Sequence, residues 1–108
     1  MTNDPADKLR AQLGGPRDGA LLRFSLGNAL LGQGEPAAAA VALREALAFD
    51  EHYSAAWKLL GRALAESGDE AGAIDAWQRG IEVASARGDQ QAAKEMGVFL
   101  RRLTRAGS

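Results

Sequence analysis

The side chains that could carry out chemistry in this 108-residue chain are few and widely separated. His52 is the single histidine, and it lies among Asp50, Glu51 and Tyr53. A metal site needs several converging ligands, and no second histidine lies at helical spacing from the first. The sequence also has no cysteine, which excludes disulfides, thiolate ligands and a cysteine nucleophile. We therefore predict that the chain holds no metal and that His52 lies in a turn.

The remaining polar residues do not form a catalytic pattern. No serine is paired with a histidine base, and residues 32–35 are typical of a helix end rather than of a phosphate-binding loop. Asp69 and Glu70 have the position of first-turn helix acids, and Asp75 and Glu82 fit one exposed stripe of a helix. We expect no enzymatic activity, no small-molecule substrate and no cofactor.

Basic residues are concentrated toward the end of the sequence. Residues 86–108 carry five bases and two acids, whereas residues 1–85 carry eight bases and twelve acids. The basic segment 101–105 has no aromatic residue interleaved for stacking on bases, beyond Phe99, which we expect to pack inward. The net charge of -1 gives little general attraction to DNA or anionic lipid. Nucleic acid is therefore a less favoured partner than protein.

The elements that position these residues are predicted to be helices. The chain has 23 alanines, which favour helices, and only seven β-branched residues, which favour strands. The N-terminal stretch carries acids where a signal peptide has bases. The longest apolar block, residues 36–43, is far shorter than the roughly 20 residues of a membrane helix. We expect an all-α, cytoplasmic protein that is not exported and has no membrane partner.

The sequence repeats itself at an offset of 34 residues. Residues 20–53 and 54–87 are identical at eight of 34 positions. The identical pairs are Leu26/Leu60, Gly27/Gly61, Ala29/Ala63, Leu30/Leu64, Gly34/Gly68, Ala37/Ala71, Ala39/Ala73 and Ala42/Ala76. Within each unit the apolar residues recur at helical spacing, and a glycine followed by an acid divides the unit in two. A period of this length indicates a stacked array, so each unit is predicted to be a helical hairpin.

The pattern within each unit resembles the tetratricopeptide repeat, in which W-x2-L-G-x2-Y is followed by A-x3-F and then by A and P. The second unit reads Trp57-x2-Leu60-Gly61-x2-Leu64 and Ala73-x3-Trp77. The first unit reads Arg23-x2-Leu26-Gly27-x2-Leu30 and Ala39-x3-Leu43. It departs from the motif by Arg23 at the tryptophan place, and both units have leucine at the tyrosine place. The two tryptophans fall at core places of the motif, where we expect them to pack rather than to stack on a ligand.

The resemblance implies an all-α superhelix of tetratricopeptide-like hairpins within a single domain, residues 1–108. Repeat 1 is predicted over residues 20–53, with helices 20–33 and 36–49, and repeat 2 over residues 54–87, with helices 54–67 and 70–86. A short helix, Pro5 to Leu13, precedes them and packs on the first hairpin through Leu9 and Leu13.

Beyond the second repeat a third copy of the motif begins and stops. Ala93, Gly97 and Leu100 take its tryptophan, glycine and tyrosine places after an insertion of two residues. We interpret residues 89–105 as a capping helix that covers the open face of the second hairpin, because terminal elements of such arrays must cover apolar surface.

The resemblance further implies a concave face that binds an extended peptide or a helix of another protein. The residues of this predicted groove are Phe24, Asn28, Leu31, Lys58, Arg62, Lys94, Val98, Arg101 and Arg102. Because arginine and lysine pair with carboxylates, we expect a ligand with an acidic segment or free carboxylate and one or two apolar anchors.

Two alternatives to this groove stay open at the level of sequence. Its basic end can be read as an ordinary solvated helix face. An apolar patch at Leu21, Phe24 and Leu31 can instead be hidden by self-association, which would make the protein a homodimer.

Overall fold

The computed structural model describes residues 4–106, which consist of helices and the turns that join them. The six helices in this range are α1 (Pro5–Arg10), α2 (Ala20–Gly32), α3 (Pro36–Phe49), α4 (Ser54–Glu66), α5 (Glu70–Ala86) and α6 (Gln90–Ala106). Residues 1–3 and 107–108 belong to the predicted domain 1–108 but lie outside the described residues. The prediction of an all-α chain is confirmed over the described part.

The bounds of five helices agree with the predicted ones to within one residue at each end. The exception is α1, which ends at Arg10 rather than at Leu13. The chain leaves the helix through two short-range bonds, from the Gln12 amide to the Leu9 carbonyl (3.0 Å) and from the Leu13 amide to the Arg10 carbonyl (3.1 Å). Gly14 follows with a φ of +78°, which an α-helix cannot contain. Leu9 and Leu13 nevertheless pack half-buried against the core, as predicted.

Three of the turns between helices share one construction. Gly34, Gly68 and Gly88 have φ values of +77°, +91° and +78°, a region that strongly favours glycine. In each turn the amide of the following acid donates to the carbonyl five residues earlier, which closes the preceding helix. These hydrogen bonds join Glu35 to Leu30 (2.9 Å), Asp69 to Leu64 (2.8 Å) and Asp89 to Ala84 (2.8 Å).

In two of these turns the acid also caps the next helix with its side chain, whereas the Glu35 side chain makes no such bond. The Asp69 carboxylate accepts from the Gly72 amide (2.9 Å), and the Asp89 carboxylate accepts from the Ala92 amide (3.1 Å). Asp69 is therefore the cap of α5 and not a first-turn residue, which corrects the prediction, because its side chain satisfies an amide that the helix leaves unpaired. Glu70 does lie in the first turn.

Glycines set how closely neighbouring helices approach. In the first hairpin, a Cβ at Gly27 would lie 2.6 Å from Cγ of Leu43, which is fully buried. In the second hairpin, a Cβ at Gly61 would overlap the indole of Trp77. At the contact of α5 with α6, a Cβ at Gly80 would collide with the buried Met96. At these three contacts a bulky side chain lies directly on glycine backbone, and the burial of Trp77 confirms its expected core place.

Gly61→Ala tests this close packing. We expect a loss of about 1–3 kcal/mol in the free energy of unfolding, because the added methyl group overpacks the core against Trp77. The indole cannot easily turn away, since its Nε1 donates to the Lys58 carbonyl (3.1 Å). Urea unfolding followed by circular dichroism measures the loss.

Gly32→Ala is the matched control, because a Cβ at this last residue of α2 would have no atom within 4 Å. We expect it to unfold at the wild-type urea concentration or slightly above it. Equal midpoints for Gly61→Ala and Gly32→Ala would contradict the proposed role of the glycine.

Candidate protein-binding face

The first helices of successive units, α2, α4 and α6, lie side by side. α2 contacts α4 and α4 contacts α6, whereas α3 and α5, the second helices, do not contact each other. A stack whose first helices touch and whose second helices are splayed curves toward the first helices. We call the surface formed by α2, α4 and α6 the inner side. All nine predicted groove residues belong to these three helices.

An ion pair crosses the inner side from α4 to α6. Nζ of Lys58 lies 3.5 Å from Oε2 of Glu95, and the two side chains are 34% and 41% exposed. The structure therefore brings one predicted groove residue of α4 into contact with α6. A pair with this exposure contributes no more than about 1 kcal/mol to stability, so a carboxylate from a ligand can compete with Glu95 for the lysine.

Arg62, the other predicted base on α4, pairs within its own helix. Its Nε lies 2.8 Å from Oε2 of Glu66, and both side chains are strongly exposed. Within residues 4–106, no acid pairs with the exposed bases Lys94, Arg101 and Arg102 on α6. The positive charge of the inner side is thus compensated on α4 and available on α6.

The other end of the inner side is more apolar, but less so than expected. Phe24 stacks on Tyr53 with ring centroids 5.0 Å apart and is half-buried, and Asn28 is exposed. Leu21 is 69% exposed, whereas Leu31 is only 6% exposed. Because α1, α3 and α4 all contact α2, Leu31 lies in the core, and the expected patch of three exposed side chains is wrong.

Val98 on α6 is half-buried, so it offers part of its surface to this side. Leu31 offers almost none. The structure thus leaves eight of the nine predicted groove residues with accessible surface. Those on α4 are bases paired with acids, and those on α6 are mainly bases that no acid pairs with in the described part of the chain.

The link between the hairpins holds His52 in a turn, as predicted. The amide of His52 donates to Asp50 Oδ1 (3.0 Å), and its carbonyl accepts from the Arg87 guanidinium (2.5 Å). Burial, and then the charge of Asp50, raise the pKa of the neighbouring Tyr53 hydroxyl above its ordinary value. No cluster of three His, Asp or Glu side chains suited to a metal ion occurs in the described range. Both of these hydrogen bonds use the backbone of His52 and not its imidazole.

Arg23, the residue that departs from the repeat motif, has a role that sequence reasoning missed. Its Nε and Nη2 donate to the two carboxylate oxygens of Asp18, at 2.8 and 2.7 Å. Its Nη1 lies 3.1 Å from Glu45, and the guanidinium stands 5.8 Å from the ring centre of Phe49. Asp18 also accepts from the Gly14 amide (2.9 Å). One arginine therefore fastens the segment between α1 and α2 to the first hairpin.

The same bonds shift the ionisation of both partners. Hydrogen bonds from Arg23, and then from the Gly14 amide, hold the pKa of Asp18 well below its ordinary range. Asp18 in turn raises the pKa of Arg23. The sequence did contain a sign of this ion pair, because Arg23 stands at a core place of the motif and the acid Asp18 lies five residues before it.

None of the helices within residues 4–106 combines the length and the apolar character that crossing a membrane requires. Residues 30–96 match the family described as tetratricopeptide repeat. Over 89 residues the chain is 52% identical to the TPR repeat-containing protein PA0015 of Pseudomonas aeruginosa. The aligned region is 82% of this chain and 85% of that protein.

Several solved structures are similar to this chain, including the following two. The solution structure of protein BPP2914 from Bordetella parapertussis is 47% identical, with a TM-score of 0.83 over 98% of this chain and 91% of that one. The crystal structure of MamA is 20% identical, with a TM-score of 0.68 over 94% of this chain and 68% of that one, and it shows the fold alone. The predicted superhelix of helical hairpins is confirmed.

Asp18→Asn tests the contact between Asp18 and Arg23 through its dependence on pH. The folded pKa of Asp18 lies below its unfolded value of about 3.9, so its contribution to stability is complete above that pH and is lost as the pH falls. We expect the variant to melt at a lower temperature than the wild type at pH 7. The difference should shrink progressively below about pH 4.

Thermal melts over a pH series measure this difference. Asp75→Asn is the control, because Asp75 forms only an exposed pair with Arg79 and should change the melting temperature little at any pH. A difference for Asp18→Asn that stays constant down to the lowest pH would contradict the assignment.

Proposed function

The chain belongs to the tetratricopeptide repeat family, whose members generally act as protein–protein interaction modules and not as enzymes. From this premise we propose that its inner side binds an acidic peptide segment, or an acidic helix, of another protein. The observation that carries the proposal is the charge distribution: α4 bases are paired with acids, whereas Lys94, Arg101 and Arg102 on α6 are exposed without such partners in the described range.

The chemistry of recognition follows from the side chains present. Guanidinium groups donate two parallel hydrogen bonds to a carboxylate, so Arg101 and Arg102 suit an acidic side chain or a free C-terminus. Toward the other end, exposed Leu21 and the stacked rings of Phe24 and Tyr53 offer apolar surface to an anchoring side chain.

Glu95 limits this recognition in the free protein. Its carboxylate already lies against Lys58, so a ligand carboxylate that binds Lys58 replaces an internal ion pair with an intermolecular one. The proposal covers the organisation of the domain as well: repeat units 20–53 and 54–87 with residues 89–105 as their cap, consistent with where the helices begin and end.

A pair of charge-reversed proteins tests the inner side. The first carries Lys58→Glu, Arg62→Glu and Arg102→Glu. The control carries Arg17→Glu, Arg44→Glu and Arg79→Glu, three exposed residues outside the predicted groove with the same total change of charge. We expect proteins captured by the wild type, and identified by mass spectrometry, to be lost by the first protein and kept by the control, because only the first repels an acidic segment.

Identical capture lists for the two triple variants would contradict the groove. Sedimentation of each protein at several concentrations shows whether a lost contact was with a second copy of the chain. Salt-sensitive retention of RNA or DNA on filters would point to nucleic acid instead.

Glu95→Gln provides a test in the opposite direction. We expect it to tighten binding of a synthetic peptide with glutamates between two leucines by about two- to fivefold, since the competing carboxylate is removed at a cost below about 1 kcal/mol. Titration calorimetry at low salt measures the affinity. Glu66→Gln, which releases the exposed Arg62, should give a smaller gain. A weaker affinity for Glu95→Gln would contradict the proposed competition.

A further inference from the structure

Helix α6 has a glycine at the place where each hairpin packs a bulky side chain on glycine, but no such side chain covers it. In the first hairpin Leu43 lies on Gly27, and in the second Trp77 lies on Gly61. Gly97 has the corresponding place on α6. A Cβ at Gly97 would meet only the Arg101 guanidinium, at 3.6 Å, so no other described residue occupies the space that those two side chains fill.

Burial shows the same difference. The leucines three residues after the hairpin glycines, Leu30 and Leu64, are 2% and 3% exposed, whereas the corresponding Leu100 is only half-buried. We call the surface of Ala93, Gly97 and Leu100 the open α6 face. All three residues are half-buried. Helix α6 packs on α5 through other residues: Met96 is fully buried, and the ring centroid of Phe99 lies 5.5 Å from that of Trp77.

The open α6 face has apolar character with a basic border. The hydroxyl of the nearby Thr104 donates to the Leu100 carbonyl within the helix (2.9 Å), so it adds no unsatisfied donor. Lys94 and Arg101 are exposed, and their spacing of seven residues places them in one row along the helix. A second copy of α6 would bring a second basic row to this border, which like-charge repulsion disfavours, whereas an acidic helix complements it.

We propose that the open α6 face binds a helix of a partner protein through the same contact that closes the hairpins. The hairpins show what such a helix must carry: a bulky apolar residue with small residues four before and three after it. The two examples in this chain are Ala39-x3-Leu43-x2-Ala46 and Ala73-x3-Trp77-x2-Gly80. Acidic residues along one edge pair with the basic row. This surface borders the inner side, with which it shares the exposed bases Lys94 and Arg101, and a helix from another chain bound there completes the stack.

The sequence of α5 supplies a defined probe. A peptide of residues 70–86 contains the required pattern around Trp77, together with three acids and one base. Added to isotope-labelled full-length protein, it should shift the amide signals of Gly97 and Leu100 and leave those around Gly61 in place. The same peptide with Trp77→Ala should bind at least tenfold more weakly, because it lacks the side chain that fills the space over Gly97.

Gly97→Leu is the decisive protein variant. Its side chain enters space that is open in the chain itself, so the urea midpoint should stay at or above the wild-type value. It should weaken the α5 peptide at least tenfold, because the partner helix can no longer approach the backbone. Unchanged peptide affinity in this variant would overturn the proposal.

Charge variants test the basic row separately. Lys94→Glu with Arg101→Glu should weaken the α5 peptide about tenfold or more at low salt, whereas Arg44→Glu with Arg79→Glu, on α3 and α5, should not. Equal effects of the two pairs would overturn the acidic chemistry assigned to the partner. A concentration-dependent wild-type dimer that Gly97→Leu abolishes would show that a second copy occupies the face, and would overturn the proposal as well.

Discussion

The contact of a bulky side chain with a glycine backbone is the constraint on which the stack depends. Leu43 on Gly27 and Trp77 on Gly61 bring the helices of each hairpin close together, and Met96 at Gly80 does the same between the second hairpin and α6. Large side chains in these gaps are held by dense packing, which tolerates neither an added methyl group nor a lost one. The positions of the first helices, and with them every charge on the inner side, follow from these contacts.

Local chemistry and packing could be predicted to different extents. Both ends of five helices could be predicted to within one residue. The patterns that mark them, a glycine followed by an acid and apolar residues at helical spacing, act between neighbours in the chain. The end of α1 was misplaced, since Leu13 continues the helical spacing while Gly14 stops the backbone. Burial of Leu31 was missed because it depends on which other helices reach α2, a tertiary property that no local pattern carries.

The site shows the same division between residue type and geometry. A basic α6 could be predicted by counting charges, but the compensation of Lys58 by Glu95 could not, since the two residues are 37 positions apart and meet only in the folded stack. Arg23 is the clearest case. The sequence shows that Arg23 breaks the motif. Its hydrogen bonds to Asp18 could not be predicted, because they depend on the path that the segment before α2 takes in the fold.

The two ends of the stack are therefore chemically unlike. At the first end, α1 and the contact of Arg23 with Asp18 cover part of the first hairpin, and at the other end α6 leaves a glycine uncovered. Growth of an open polymer by head-to-tail contact needs two ends that complement each other. The contact proposed at α6 needs a helix with a bulky apolar residue between small ones, and α1, which lies at the first end, does not carry that pattern. A contact of the open α6 face with α1 of a second copy is therefore not the same contact, and it gives no route to a head-to-tail polymer.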